Sequence, residues 1–493
     1  MKTRIIAVDQ STSATKALLF DEDLSLVAQA SEAHRQIYPQ TGWVEHDPME
    51  IFENTVKVIW KVLEGADMKE YKYVLSITNQ RETIVAWDRT TGLPVYNALV
   101  WQDTRGARYC DEWKAAGLEP LVQEHTGLKI DPSFCASKMK WILDNVEGAR
   151  ALAEAGNLCF GTIDAWLIWK LTEGRTFATD YTNASRTMVF NIHTLAWDPE
   201  VAQALGLAVD YLPEPRPCDA LYGETTVGGF FEQPIQIAGV LGDSHGALAG
   251  QMCFAPGEGK VTYGTGSSVQ VNIGPKAAPA PEGLVTSIGF SVLGTTYYSY
   301  EGNIYSTGAT LKWLAEQARM IEAPHHSEAC ALNCESTGGV YFIPAFAGLG
   351  APWFASNTKA AIVGMTFSTN HDQIVRAAVE SIAFQVKDLV AAMLDGTGVE
   401  LGEISADGGP TKNQFLMQLQ ADLLERPIVC TEVEDASALG AAVVAGFAVG
   451  LWKNTDEVKK LKKIKKIISP NAAHDTTELY AGWRQAVTQL INH

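Results

Sequence analysis

The sequence has little of what would place it in a specialised class of proteins. Its eight cysteines are scattered without disulfide-like clustering, so a disulfide-stapled secreted fold is not indicated and reduced thiols are expected. The longest nearly apolar run, residues 438–452, has 15 residues, which is short for a membrane span and predicts a buried helix. Residues 1–8 are typical of a strand and not of a secretory signal. We therefore expect a cytoplasmic protein without a membrane partner.

Positive charge is scarce. The chain has 38 Lys and Arg residues against 57 Asp and Glu residues, a formal net charge of −19. This balance disfavours nucleic acid or an acidic membrane as the principal partner, although a local basic pocket can still hold a small anion. The basic run Lys459–Lys466 predicts a solvated helix or loop face, and an anionic effector site is the alternative.

One common kinase motif is also missing. The pattern G-x-x-x-x-G-K-S/T does not occur, which disfavours a P-loop kinase. What remains is an ordinary globular composition, with 46% hydrophobic and 19% charged residues in a chain of 493. A chain of this length predicts two or more domains with substantial cores.

The most informative stretch is residues 235–250. Its apolar first part, 235–241, predicts a buried strand that ends at Gly242, and Asp243 then begins a helix rich in Ala and Gly. A carboxylate at the carboxyl end of a buried strand, beside glycines, is typical of active sites in α/β proteins. The alternative is that Asp243 only caps the helix.

Two hydroxyl-rich hairpin turns accompany this stretch. Asp9 ends a first strand, residues 10–16 form a polar turn, and two further strands complete a predicted meander. Backbone amides and hydroxyls in such a turn can bind phosphate and Lys16 adds a cation, although a plain polar turn is the alternative. Residues 258–273 predict a second hairpin with a similar turn at 264–268. This order of elements looks like the actin-type ATPase fold.

Polar side chains also follow other predicted strands. Arg81 and Glu82 come after the strand 73–78 and are suited to bind hydroxyls, one as donor and one as acceptor; a surface ion pair is the alternative.

His326, Cys330 and Cys334 have the i, i+4, i+8 spacing of one helix face and are candidate zinc ligands. The sequence offers no fourth ligand near them.

Long motifs in a constant order resemble the FGGY family of carbohydrate kinases, and within it the glycerol kinases, over residues 4–490. The matching segments are Asp9–Ser13, Gly42–Pro48, Ile77–Glu82, Phe160–Trp166, Asp180–Arg186, Tyr263–Gly266, Gly348–Pro352, Ala360–Met365 and Gln373–Glu380. The resemblance implies an α/β protein with two actin-like (ribonuclease H-like) ATPase domains around a central cleft, which we assign to residues 1–250 and 251–493. It also implies transfer of the γ-phosphoryl group of ATP, with Mg²⁺, to a primary hydroxyl of a small polyol or sugar. A homodimer or homotetramer is the expected assembly.

The resemblance assigns roles by position. Asp243 is the expected catalytic base, and Asp9 and Asp243 are the expected metal ligands. The expected substrate-binding residues are Arg81, Glu82, Trp101, Ser133, Asp243, Ser244 and Ser268. The expected nucleotide-binding residues are Thr12, Ser13, Lys16, Gly264, Thr265, Gly308, Lys312, Gly408, Gly409 and Asn413. For Lys312 a surface lysine is the alternative.

The chain departs from glycerol kinases at four of these places. Ser11 stands where they have Gly, which fits if its φ is negative. Ser133, Ser244 and Ser268 stand where they have Tyr, Gln and Phe. A roomier, hydroxyl-lined wall favours a four- or five-carbon polyol or ketose, because buried substrate hydroxyls need partners. Glycerol is the alternative substrate, and a non-catalytic actin-fold sugar sensor is the alternative from another class.

Overall fold

The computed structural model describes residues 1–65, 69–395, 397–432 and 435–492. In the first half the strands are β1 Lys2–Gln10, β2 Ala14–Phe20, β3 Leu26–Ala33, β4 Glu45–His46, β5 Tyr71–Asn79, β6 Ile84–Asp88, β7 Ala98–Leu99, β8 Leu158–Thr162, β9 Ala178–Asp180, β10 Phe190–Asn191, β11 Ala196–Trp197, β12 Glu214–Arg216, β13 Leu221–Thr225 and β14 Ile235–Gly242. The helices are α1 Pro48–Val62, α2 Ala107–Ala115, α3 Glu119–Thr126, α4 Cys135–Asn145, α5 Ala149–Glu154, α6 Ile163–Leu171, α7 Tyr181–Ala184, α8 Pro199–Ala204 and α9 Asp243–Gly250.

The second half follows the same alternation. Its strands are β15 Gly259–Tyr263, β16 Ser267–Gly274, β17 Val285–Val292, β18 Thr295–Ile304, β19 Tyr341–Ile343, β20 Ala361–Val363, β21 Ile404–Gly408, β22 Ile428–Thr431 and β23 Ile464–Ile468. Its helices are α10 Gly308–Glu316, α11 Ser327–Leu332, α12 His371–Leu394, α13 Gln414–Leu424, α14 Ala436–Ala448, α15 Thr455–Lys459 and α16 Thr477–Ile491. Short 3₁₀ turns at Pro324–His326 and Gly409–Lys412 precede α11 and α13.

The first large sheet has the order β13-β14-β5-β1-β2-β3. The predicted meander β1-β2-β3 is confirmed, because β2 pairs antiparallel with both of its neighbours. Strands β1, β5 and β14 run parallel, and the register sets Asp9 beside Thr78 and Gly242 beside Asn79. Parallel strands end at the same edge of a sheet, so the polar residues that follow these three strands meet there.

The second large sheet has the order β17-β18-β16-β15-β21-β22-β23. Its β15–β16 hairpin, with β21 parallel to β15, repeats the arrangement of β1, β2 and β5 in the first sheet. Tyr263 lies beside Gly408, so the second hydroxyl-rich turn and the Gly408-Gly409 pair share one edge. The duplicated, two-domain actin-like architecture that the sequence predicts is therefore present.

Helix α14 belongs to the second half of the sequence but packs against the first half of the protein. Its residues share a buried core with β1 and β14 of the first sheet, and the helix packs against α9. A Cβ on Gly440 would lie 1.8 Å from the carbonyl oxygen of Gly246, and one on Gly250 would lie 2.0 Å from that of Ala436. Small residues are therefore required for this close packing. The domain division at residue 250 stays a prediction, and this helix crosses it.

The basic run is largely exposed, as expected, but part of it is a strand and not a helix or loop. Ile464–Ile468 forms β23, which pairs antiparallel with β22. Lys459 donates to Glu258 at 2.7 Å, and Lys462 donates to Glu403 at 2.6 Å. These lysines serve contacts within the fold, a use that a charge count along the chain does not reveal.

The structure also shows the state of the cysteines and the character of the helices. All eight cysteines lie in the described part of the chain and are unpaired thiols. Across the described residues we find no helix with the length and apolarity that crossing a membrane requires.

Candidate active site

Asp243 and Arg81 meet at the carboxyl edge of the first sheet. Arg81 Nε donates to Asp243 Oδ1 at 3.1 Å, and Arg81 Nη2 donates to Ser244 Oγ at 3.1 Å. Asp243 is the first residue of α9 and also accepts the Ser244 amide at 2.7 Å. The cap residue of α9 is Gly242, so the capping alternative does not describe Asp243, and it does not explain the contact with Arg81. Burial raises the pKa of Asp243, and the Arg81 guanidinium opposes that rise.

Glu301 is a site residue that the sequence reasoning missed. It lies on β18 in the second half, and its carboxylate accepts from Arg81 Nη1 at 2.8 Å and Nη2 at 2.7 Å. Arg186 Nη1 lies 3.1 Å from the same carboxylate. The two arginines hold the pKa of Glu301 well below its usual range in spite of its burial. The available signal was an acid inside a buried strand, since such a charge needs a partner.

Glu82 is held in a strained conformation. Its φ is 61°, a left-handed value that costs a residue with a Cβ energy and is frequent at functional sites. Arg186 Nε donates to Glu82 Oε1 at 2.5 Å, and Lys138 Nζ donates to the Glu82 carbonyl oxygen at 3.3 Å. The alternative of a surface Arg81–Glu82 pair is therefore wrong, because each side chain is turned inward and has another partner.

Asp9 has the properties of a metal ligand. Its side chain is buried, and Oδ1 has no hydrogen-bond partner in the described structure. Burial raises the pKa of Asp9 to about 7, and the Asp243 carboxylate adds to the rise whereas Lys16 opposes it. Two carboxylates that repel each other, one with an unused oxygen, fit a hard divalent cation such as Mg²⁺.

The first hydroxyl-rich turn faces Trp101. Trp101 Nε1 donates to Thr12 Oγ1 at 3.0 Å, so the ring covers this turn, while Ser13 is exposed. Ser11 is not among the residues of positive φ, which confirms the expectation for that position. Lys16 forms an ion pair with Asp435, the residue before α14. The lysine expected to meet phosphate is thus also a link between the two halves.

A cavity of about 790 Å³ lies at the edge of the second sheet. Six of the expected nucleotide-binding residues line it, namely Gly264, Thr265, Gly308, Lys312, Gly409 and Asn413. A Cβ on Gly409 would meet no atom within 4 Å, so the backbone there is open to a ligand. Gly408 has φ 97°, and its Cβ would lie 2.0 Å from the Tyr263 carbonyl oxygen. Gly408 is therefore required by the backbone conformation and its close packing, whereas Gly409 leaves space for a ligand.

Gly308, an expected nucleotide-binding residue, begins α10, and the first amides of this helix have partners within the protein. Gly308 N donates to Gly264 O and Ala309 N donates to Thr265 O, each at 3.0 Å. These amides hold the neighbouring turn in place. The surface alternative for Lys312 is partly right, because 66% of its side chain is exposed and Glu316 is 3.7 Å away. Both residues nevertheless line the cavity.

The three serines of the expected substrate wall have different surroundings. Ser244 Oγ accepts from Arg81, as described above. Ser133 Oγ donates to Asp131 at 2.6 Å, so its hydroxyl is used locally. Ser268 shares a face of β16 with Gln270, which pairs with Glu301, and its buried Oγ has no partner in the described structure. Only Ser268 retains an unused hydroxyl.

Two α/β halves, each with a hydroxyl-rich hairpin turn, define a protein of the two-domain actin-like kinase class. Comparison with family models is consistent with this class: residues 4–250 match the N-terminal domain of the FGGY family of carbohydrate kinases, and residues 259–449 match its C-terminal domain. The chain belongs to the FGGY family of carbohydrate kinases. It is accordingly a phosphotransferase that acts on an alcohol group with ATP as donor, and the non-catalytic sensor hypothesis is not supported.

Individual relatives cover the whole chain. It is 45% identical over 493 residues to the glycerol kinase of Shewanella woodyi, covering 100% of this chain and 99% of the relative. It is 46% identical over 489 residues to glycerol kinase 1 of Thermotoga maritima, covering 99% of each. Among solved structures, Plasmodium falciparum glycerol kinase with ADP matches with TM-score 0.93 and 35% identity, over 99% of this chain and 98% of the other.

Proposed function

We propose that this protein is a glycerol kinase, which transfers the γ-phosphoryl group of ATP to a primary hydroxyl of glycerol. The observation that carries the proposal is the full-length identity of 45–46% to glycerol kinases, together with Arg81 and Asp243 in contact at the sheet edge. These comparisons favour glycerol over the four- or five-carbon substrate expected from the serine substitutions.

The chemistry asked of the side chains is positioning and proton transfer. Asp243 accepts the proton of the attacking hydroxyl, and its raised pKa makes it a stronger base than an exposed aspartate. Arg81 donates to, and Glu82 accepts from, the remaining hydroxyls of the substrate. The two residues lie at the end of β5, beside the end of β14, so one edge of one sheet holds the acceptor.

The nucleotide occupies the cavity of the second half. The adenine ring of the nucleotide lies against the bare backbone of Gly409, and the turn at Gly264 and Thr265 contacts phosphate. Asp9 and Asp243 would hold Mg²⁺, which offsets charge on the phosphoryl oxygens when bound. Exclusion of water from the closed cleft limits wasteful hydrolysis of ATP.

A longer polyol or ketose is the second candidate, favoured by the unused buried hydroxyl of Ser268. The test is kcat/KM for glycerol, erythritol, ribitol and the pentuloses under one set of conditions. A preference of at least tenfold for glycerol supports the proposal. A preference of that size for a four- or five-carbon substrate overturns it, and Ser268→Ala should then reduce the preference.

Three expectations stay predictions. Light scattering on the purified protein measures its molar mass and tests for a homodimer or homotetramer. The cytoplasmic location is measured by fractionation. The need for Mg²⁺ is measured by chelation and add-back.

A further inference from the structure

A cluster of three potential metal ligands lies outside the site described above. Cys330 is on α11, and His371 and Asp372 are the first two residues of α12. Their ligand atoms, a sulfur, a ring nitrogen and a carboxylate oxygen, all lie within 4.8 Å of one another. A tetrahedral zinc site places such atoms about 3.3–3.8 Å apart, so small side-chain rotations bring these three into range.

The surroundings of His371 supply a second observation. Its Nε2 faces the carbonyl oxygen of Met320, and its Nδ1 lies 2.8 Å from Asp372 Oδ1. Met320 O and Asp372 Oδ1 are both acceptors, so without a cation the ring holds a proton on each nitrogen. A divalent cation bound by both groups replaces the proton on Nδ1, and a small rotation of the carboxylate makes room for it while the N–H on Nε2 stays on Met320. A ring whose other nitrogen is fixed by a backbone carbonyl is the usual setting of a zinc-bound histidine.

The structure separates this cluster from the set suggested by spacing alone. Helix α11 ends at Leu332, so His326 and Cys334 lie outside it and do not continue its face. His326 lies 3.8 Å from Glu322, and the Cys334 thiol lies 3.7 Å from the carbonyl oxygen of Cys330. Only Cys330 is shared by the two sets.

We propose that Cys330, His371 and Asp372 form a structural binding site for a soft divalent cation of the zinc type, with water as fourth ligand. The thiolate and imidazole donors favour zinc over magnesium. The site joins the loop after α10, α11 and the start of α12. Ser327 and Glu328 on α11 line the nucleotide cavity, so the cation fixes an outer wall of that cavity without contacting the reaction.

The test uses the full chain, free of any purification tag, after treatment with a chelator and desalting. Cobalt(II) is the probe, because a cysteine ligand gives a thiolate-to-cobalt absorption band that a carboxylate site such as Asp9 does not give. We expect one equivalent of band-forming Co²⁺, displaced by Zn²⁺, and a melting temperature raised by Zn²⁺. Cys330→Ala should abolish the band, and His371→Ala and Asp372→Asn should weaken binding at least tenfold.

Matched controls are available in the same segment. His326→Ala and Cys334→Ala make the same substitutions on the residues left out of the cluster and should keep both the band and the stabilisation. The conservative Asp372→Asn keeps the result interpretable if a truncation impairs folding. The proposal is overturned if the parent protein shows no stoichiometric thiolate band. It is equally overturned if the two control variants lose cobalt while His371→Ala retains it.

Discussion

In the proposed mechanism the carboxylate of Asp243 accepts the proton of the attacking hydroxyl, and its burial and charged neighbours set its pKa. We expect Asp243→Asn to lower kcat by roughly 10²–10⁴-fold, because an amide cannot accept the proton of the attacking hydroxyl. The glycerol-dependent release of ADP measures this. Asp210→Asn, an exposed aspartate in a loop, is the matched control and should keep full activity. An Asp243→Asn protein that folds and turns over at the parent rate contradicts the assigned role.

Asp9 gives a prediction about pH. Its pKa is raised to about 7 in the folded chain from 3.8, so the folded state holds a proton between these values that the unfolded state has released. Stability contributed by this group therefore falls as pH rises from about 4 to 7, and the penalty is complete above 7. In chelator, Asp9→Asn should raise the melting temperature by roughly 2–5 °C at pH 8 and by less than half of that at pH 5.

The comparison of the two pH values is the control for this experiment. If the Asn variant gains equally at pH 5 and pH 8, the effect is one of shape or hydrogen bonding and not of charge. Added Mg²⁺ should remove part of the difference at pH 8, because only the parent has the carboxylate that binds it.

At the scale of elements, the strands and turns that form the site follow from local patterns. Apolar runs that end in Asp9, in Arg81 with Glu82, and in Asp243 predicted three strand ends, and the register brings the three ends together. The start of α10 could not be predicted in the same way. Its first amides are satisfied by carbonyls of a turn far earlier in the chain, because Gly308 N donates to Gly264 O and Ala309 N donates to Thr265 O, and no local signal encodes these pairings.

The contacts of Glu301 and Lys138 escaped prediction for a related reason. Arg81 and Glu301 are 220 positions apart, and only the closed fold sets them against each other. Lys138 is fully buried and donates to the carbonyl oxygens of Glu82 and Phe134. Every residue has a backbone carbonyl oxygen, so neither the types of the partner residues nor their spacing predicts the hydrogen bonds of Lys138.

The Gly408-Gly409 turn gives a prediction that separates folding from binding. Gly408→Ala should lower the free energy of unfolding by roughly 2–4 kcal/mol, since it combines a positive φ with a clash against Tyr263. Gly409→Leu should leave stability nearly unchanged and raise KM for ATP at least tenfold, because its side chain enters open cavity space. Melting curves and initial rates measure the two effects, with Gly409→Ala as an intermediate step. Equal destabilisation by both substitutions contradicts the distinction.

At the scale of the whole molecule, a small set of contacts joins the two halves beside Asp243, the proposed catalytic base. Glu301 and Ser287 of the second half hold Arg81 and Arg186 of the first. Lys16 pairs with Asp435, and Ser437 Oγ donates to the carbonyl oxygen of Asp243 at 2.8 Å. Because α14 starts at this point and packs on the first sheet, the halves that hold the proposed nucleotide site and the proposed acceptor site are joined by this helix.

Glu301 is the contact whose removal tests this coupling. Glu301→Gln keeps the shape of the side chain but removes the charge that two buried arginines share. Breaking a buried ion pair typically lowers the free energy of unfolding by about 3–5 kcal/mol. Arg81 then keeps the Glu82 and Asp243 carboxylates as counter-charges, and loss of the Glu301 charge brings the raised pKa of Asp243 down. We expect kcat/KM for glycerol to fall at least tenfold and its acidic limb to move to lower pH. Exposed Glu154→Gln is the matched control.

A purely local role for Glu301 predicts a different result, so the two can be separated by binding measurements. If Glu301 links the halves, glycerol should bind more tightly in the presence of a non-hydrolysable ATP analogue in the parent protein, and the analogue should bind more tightly with glycerol by the same factor. Glu301→Gln should bring that factor toward one while each ligand alone still binds. A variant that weakens glycerol binding but keeps the full coupling factor places Glu301 in the acceptor site alone and removes it from the path between the domains.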